Sequence, residues 1–208
     1  MGLTWANWAN RITIARILLI APFIILMLKV HEPEYGDTAR YAALAIFLFM
    51  AASDYLDGYL ARKKKQATRL GAFLDPMADK LLMTTALLLL SSDPAHIEGF
   101  KLPLTVVVLI IGKDVFLLLG FLIVYFITFQ VRVVPGLIGK WATVLQLSMV
   151  AGVLIGPEMS HVIPGWIWFL RALWWSAAGT AVLATLIYIR VGISYIEEFD
   201  QQAAHKAH

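Results

Sequence analysis

The apolar residues of this chain fall in blocks, each long enough to cross a bilayer. Crossing about 30 Å of hydrocarbon takes roughly 20 helical residues. Blocks of that kind run over 12–29, 41–61, 71–91, 103–129, 139–156 and 167–190. A helix at the surface of a soluble protein keeps a polar face, whereas these stretches are largely apolar all round, and buried soluble helices rarely stay so for this length. Of 208 residues, 60% are hydrophobic and only 15% charged, a balance shifted from soluble domains toward lipid. The expected fold is all-α. It is a polytopic integral membrane protein of about six transmembrane helices, forming one domain over residues 1–208, with a polar active-site cavity at the cytoplasmic side.

The breaks carry turn chemistry: Pro33 and Gly36, Pro94 and Gly99, Pro135 and Gly136, and Pro157, Pro164 and Gly165. Orientation follows from the basic residues. Arg11, Arg16, Arg62, Lys63, Lys64, Lys65, Arg69, Lys80, Arg132, Lys140, Arg190 and Lys206 gather on one side. Only Lys29, Arg40, Lys101 and Arg171 fall on the other. Both termini and loop 62–70 are therefore expected in the cytoplasm, as in a cell inner membrane. The run from Ile12 lacks a small-residue cleavage site and reads as a retained first span. Residues 1–11 suit either a short interfacial helix or a frayed end, and the polar tail 197–208 is expected to fray. Trp5, Trp8, Trp166, Trp168, Trp174 and Trp175 suit an interface belt or packing between helices equally well. The chain has no cysteine, which removes thiolate metal sites and cysteine nucleophiles. A net charge of +3 with no nucleic-acid motif favours lipid head groups as partners over nucleic acid.

Four aspartates flank the basic loop, in DYLDGYLAR and GAFLDPMAD. One carboxylate within a membrane helix costs about 2.5–3.5 kcal/mol, so four at one level call for a compensating interaction. Asp54 and Asp57 are three residues apart, and Asp75 and Asp79 four, so each pair shares a helix face. A short connection makes the two helices antiparallel neighbours whose acidic faces can converge. Close unpaired carboxylates repel and hold protons unless a cation lies between them. All-oxygen ligands suit one or two hard divalent ions such as Mg2+ or Mn2+. Paired metals are a recurrent apparatus for displacement at phosphorus. Gly58, Ala61 and Gly71 leave room for a bulky ligand such as a nucleotide, and Arg62 offers a fork for phosphate. Gly58 and Ala61 equally suit contacts between membrane helices, and Lys63 to Arg69 an ordinary cytoplasmic loop.

Asp54, Asp57, Gly58, Ala61, Arg62, Gly71, Asp75 and Asp79 match every fixed position of D-x2-D-G-x2-A-R-x8-G-x3-D-x3-D. The segment thereby resembles the CDP-alcohol phosphatidyltransferase family. The resemblance implies transfer of a phosphatidyl or related group from a CDP-linked donor to a hydroxyl, with release of CMP. It implies two divalent cations, Mg2+ or Mn2+, held by Asp54, Asp57, Asp75 and Asp79, with Asp79 as general base. It also implies that Asp54, Gly58, Ala61, Arg62 and Gly71 bind the CDP moiety, and that the enzyme is a homodimer. A donor such as CDP-diacylglycerol stays in lipid because each buried methylene contributes about 0.8 kcal/mol.

The stretch NRITIAR, with Asn10, Thr13 and Arg16, is similar to the N-x-x-T-x-x-R of phosphatidylglycerophosphate synthases and of this family's cardiolipin synthases. The implied acceptor is glycerol 3-phosphate, with phosphatidylglycerol as the alternative. Lys113 and Lys140 are the candidate acceptor-binding residues. Lys113 lies beside Asp114 in the fourth apolar block, where the two charges also suit mutual compensation. Lys140 opens the fifth block in GKWATVLQL, with Thr143 and Gln146 or Leu147 following on its face, and suits a snorkelling anchor as well. A reading from another class is a membrane cation transporter, since intramembrane carboxylates can line an ion path. No repeat between the halves supports it.

Overall fold

Apolar runs of helical length, separated by proline and glycine, fold as helices throughout. The computed structural model describes the backbone of residues 8–64, 69–128 and 137–206, and side chains chiefly over 14–53, 80–120 and 139–195. Among the described residues there are seven helices and no strand. They are α1 (Trp8–Leu28), α2 (Gly36–Lys64), α3 (Arg69–Ser91), α4 (Leu104–Thr128), α5 (Leu137–Leu154), α6 (Gly156–Val162) and α7 (Trp166–Lys206). Each of the six expected apolar stretches falls largely on one of these helices. Among the described residues, two segments are long and apolar enough to cross a membrane, Leu104–Val124 and Trp166–Tyr195. A third candidate arises if Gly139–Leu154 and Gly156–Val162, bent by 77°, count as one broken span.

Three boundaries differ from the sequence expectation. Trp8 to Arg11 are continuous with α1 instead of forming a separate surface segment, while residues 1–7 lie outside the described residues. The basic stretch is helical through Lys64 on one side and from Arg69 on the other; its centre, 65–68, and the segment around Pro135 and Gly136 are outside the described residues. The tail does not fray at Glu197: α7 runs on to Lys206. Its EEFDQQAAHK sequence lacks glycine and proline and is rich in good helix formers, which outweighs its polarity.

Compact packing divides the chain into two units. The first comprises residues 1–103 and 147–171. Within it α1 packs against both α2 and α3. Its core is a helical-period set of Phe23 and Met27 on α1, Ala43, Phe47 and Met50 on α2, and Leu82, Ala86 and Leu90 on α3, all buried. The rings of Phe23 and Phe47 lie 6.3 Å apart. In lipid the cohesion of such a core comes from close packing, which the alanines permit, more than from exclusion of water. The turn between α1 and α2 is tight enough to require glycine: a Cβ on Gly36 would stand 2.5 Å from the Val30 carbonyl oxygen. The loop after α3 returns to the same end, where the His31 and His96 rings are 4.9 Å apart.

A charged clamp closes this end. Arg40 is 4% exposed. Its Nη1 donates to the Leu154 carbonyl at 2.8 Å and to Glu158 Oε2 at 2.7 Å. Its Nη2 donates to Asp37 Oδ1 at 3.0 Å and to Glu158 Oε1. Tyr41 Oη donates to Glu158 Oε1 as well. The Arg40 guanidinium holds the Glu158 carboxyl well below its ordinary 4.5, at about 2, and the Tyr41 hydroxyl adds to the effect. Between those two values the unfolded chain binds the proton that the folded chain does not. The clamp therefore contributes fully above about pH 4.5 and is lost as pH falls toward 2. The midpoint of thermal unfolding, followed by tryptophan fluorescence, is expected to drop from pH 5 to pH 3. It should drop less in Glu158→Gln, and equal slopes in the two proteins would remove the assignment.

The second unit comprises residues 104–146 and 172–208. A Cβ on Gly139 would stand 3.0 Å from Tyr188 Oη, and one on Gly192 would stand 3.9 Å from Val124 Cγ2, so α7 approaches both α5 and α4. Large apolar side chains point outward, among them Phe116 at 60% and Phe126 at 67% exposure. An outside as apolar as the inside is the pattern of a lipid-facing surface.

Candidate active site

Asp54 and Asp57 stand in the last third of α2, and Asp75 and Asp79 in the first half of α3. Their spacing keeps the members of each pair within about one helical turn. Helix direction brings the two pairs toward one end of the first unit. The beginning of α2 follows directly on the turn that carries His31, and the end of α3 leads into the loop of His96. Those two ends meet, so the aspartate-bearing ends of α2 and α3 both point away from them. Asp54 is 18 residues from Gly36, about 27 Å, and Asp75 is 16 from Ser91, about 24 Å. Gly58, Ala61 and Arg62 continue α2 beyond Asp57, and Gly71 is in the first turn of α3. The side chains of all eight signature residues lie outside the described residues. The chemistry of the set, four carboxylates in a chain without cysteine, fits hard divalent cations. Among the described residues no other group of three or more His, Asp or Glu comes together as a metal site.

The expected acceptor residues are in the second unit. Lys113 is buried at 4% exposure, and its Nζ lies 3.1 Å from Asp114 Oδ1, so the compensation anticipated between these neighbours is present. Lys140 is exposed in the first turn of α5. Thr143 and either Gln146 or Leu147 are expected on the face of Lys140, and Leu147 stands about 20° from it. At 100° per residue, Gln146 stands about 120° from Lys140. Gln146 is accordingly 1% exposed, and among the described residues its Nε2 meets no acceptor. Thr143 Oγ1 donates back to the Gly139 carbonyl at 3.1 Å.

Two arginines have positions that charge counting did not anticipate. Arg40, read as an outer-side cation, is the centre of the clamp. Arg16, read as a cytoplasmic-side cation, is 2% exposed on α1. The sequence carried one hint of the latter, the place of Arg16 four residues into an apolar run. The tryptophans divide between the two roles open to them. Trp168 and Trp175 are exposed, Trp174 is buried, and Trp166 donates its Nε1 hydrogen to the Gly152 carbonyl at 3.3 Å. Arg171 lies over the Trp168 ring, 4.8 Å from its centroid.

The chain is similar in sequence to several curated proteins. A protein of Pseudomonas fluorescens named CDP-diacylglycerol--glycerol-3-phosphate 3-phosphatidyltransferase is 44% identical over 52% of the chain and 51% of its own length. A Bacillus subtilis protein of the same name is 36% identical over 72% of the chain and 77% of its own length. A rice protein named cardiolipin synthase (CMP-forming) is 31% identical over 74% of the chain and 49% of its own length. The match thus spans about half the length of the Pseudomonas and rice proteins. The family model of CDP-alcohol phosphatidyltransferases matches residues 6–186, a range that includes most of each unit and every signature position. By this match the chain belongs to the CDP-alcohol phosphatidyltransferase family.

Proposed function

We propose that the chain transfers the phosphatidyl group of CDP-diacylglycerol to a hydroxyl of glycerol 3-phosphate, giving phosphatidylglycerophosphate and CMP. The observation that carries this reading is the complete eight-position signature on the adjoining ends of α2 and α3. The acceptor comes from relatives named for glycerol 3-phosphate, in Bacillus subtilis and in Cereibacter sphaeroides, the latter 32% identical over 75% of the chain.

In this reading Asp54, Asp57, Asp75 and Asp79 hold two divalent cations, Mg2+ or Mn2+, which when bound polarise the donor phosphate and stabilise departing CMP. Asp54, Gly58, Ala61, Arg62 and Gly71 hold the CDP moiety, the small residues giving access and the guanidinium a fork. Asp79 takes the proton of the acceptor hydroxyl. The acceptor oxygen bonds to the phosphorus that carries diacylglycerol as the bond from that phosphorus to CMP breaks. Lys113 and Lys140 bind the acceptor phosphate. The whole chain works as one domain of six spans in the cytoplasmic membrane. Both termini and residues 62–70 are cytoplasmic, and the polar cavity opens on that side while the acyl chains of the donor stay in lipid. The enzyme is a homodimer.

Purified protein supplied with CDP-diacylglycerol, Mg2+ and a panel of radiolabelled acceptors tests the reading by lipid chromatography. Label is expected to enter lipid from glycerol 3-phosphate, with CMP released in equal amount. Label entering only from phosphatidylglycerol would select the second reading, a cardiolipin synthase, which the rice relative favours. CMP release independent of every acceptor would sink both.

A further inference from the structure

Arg16 is a buried charge with no part in the proposed chemistry. It is among the largest fully buried side chains, and it stands on α1, the helix that packs against both aspartate-bearing helices. A guanidinium taken out of water is costly by several kcal/mol unless an opposite charge lies close to it.

The register identifies the opposite charges at its level. The tight turn after α1 makes α1 and α2 antiparallel, and Phe23 meets Phe47 across them. Seven residues before Phe23 is Arg16, and seven after Phe47 is Asp54. Both steps run about 10 Å in the same direction. The second tie is to α3. The His31–His96 contact brings the ends of α1 and α3 together. Arg16 is 12 residues before the end of α1 at Leu28, and Asp79 is 12 before the end of α3 at Ser91, about 18 Å in each case. The acidic groups at the opposite end of the unit, Asp37 and Glu158, are engaged with Arg40. Arg40 is itself 14 residues, about 21 Å along α2, from Asp54.

We infer that Arg16 is a positioning residue of the metal site, the buried counter-charge that orients the carboxylates of Asp54 and Asp79. The inference rests on the proposed reading of those aspartates as metal ligands. A planar fork can take one oxygen from a carboxylate and leave the other for a cation, which a point charge on a flexible stem does less well. Partners behind metal ligands characteristically govern affinity by 10- to 100-fold.

The test is Mn2+ binding to the purified 208-residue chain in nanodiscs, read by electron paramagnetic resonance, with thermal unfolding in EDTA recorded alongside. The proteins compared are the unaltered chain, Arg16→Gln, Arg16→Lys and the core control Phe23→Leu. Arg16→Gln is expected to weaken Mn2+ binding about 10- to 100-fold, with Arg16→Lys between it and the unaltered chain. Phe23→Leu should lower the unfolding temperature and leave Mn2+ affinity alone. Should Arg16→Gln fail to fold, Arg16→Lys decides: intermediate affinity supports the role. Undiminished Mn2+ affinity in the folded Arg16 variants, with only a lower unfolding temperature, overturns it. An unaltered chain that binds no Mn2+ removes the proposed metal site itself, and the role of Arg16 with it.

Discussion

Asp79→Asn is expected to lower turnover by about 100- to 10,000-fold while Mn2+ still binds. Asparagine has the shape of aspartate and keeps one carbonyl oxygen as a donor, but it cannot accept the acceptor's proton. Three carboxylates, Asp54, Asp57 and Asp75, remain for the cations. The loss should therefore fall on the chemical step, with kcat reduced and the KM for CDP-diacylglycerol little changed. CMP release with glycerol 3-phosphate gives the turnover, and Mn2+ titration gives the metal sites. Turnover equal to that of the unaltered chain would refute the assignment of the base. Loss of Mn2+ binding together with turnover would make Asp79 a ligand alone.

The largest effect on stability is expected at the opposite end of the first unit. Arg40→Met should destabilise the protein by about 3 kcal/mol, read from thermal unfolding in detergent. Arg40 is almost fully buried, and its guanidinium ties the start of α2 to the Leu154 carbonyl and to Glu158 on α6. Methionine keeps much of the bulk but leaves the carbonyl without that donor and Glu158 without its cation. Glu158 is a third exposed, so water recovers part of its interaction and the figure stays below that of a fully buried pair. Arg40→Lys should recover only part of the loss, because an ammonium cannot donate in a fork to both oxygens. Asp54 is about 21 Å further along α2, so residual activity at low temperature should stay close to that of the unaltered chain. A change below about 0.5 kcal/mol would show that the clamp contributes little.

What the sequence determined by itself is whatever depends on a period or on lipid. The helices were legible because apolar runs of twenty residues satisfy their backbone only as helices in a bilayer. The acidic constellation was legible because spacings of three and four on a helix put carboxylates on one face, and because intramembrane carboxylates are too costly to be incidental. Those rules act over a few residues, so one chain suffices to apply them. The resemblance of Asp54 through Asp79 to a known signature led to the family, and the family model bears that recognition out over residues 6–186.

Tertiary structure decided what depends on partners distant in sequence. Nothing local to Arg40 announces Glu158, 118 residues away, and counting it by charge alone left that partner unseen. Arg16 had the same sign and the same presumed side as the exposed Lys140, yet α1 carries it into the packed unit. Of the two residues offered for the face of Lys140, Gln146 turns inward, because a spacing of six falls about 120° short of two helical turns, whereas Leu147, seven residues on, keeps to that face. The tail past Glu197 was read from polarity as frayed, whereas good helix formers and an uninterrupted helix before it extend α7 to Lys206. A charge or a polar group has no periodic signal of its own. Its role is set by what the packing of other helices brings within a few ångströms, and only the folded chain supplies that.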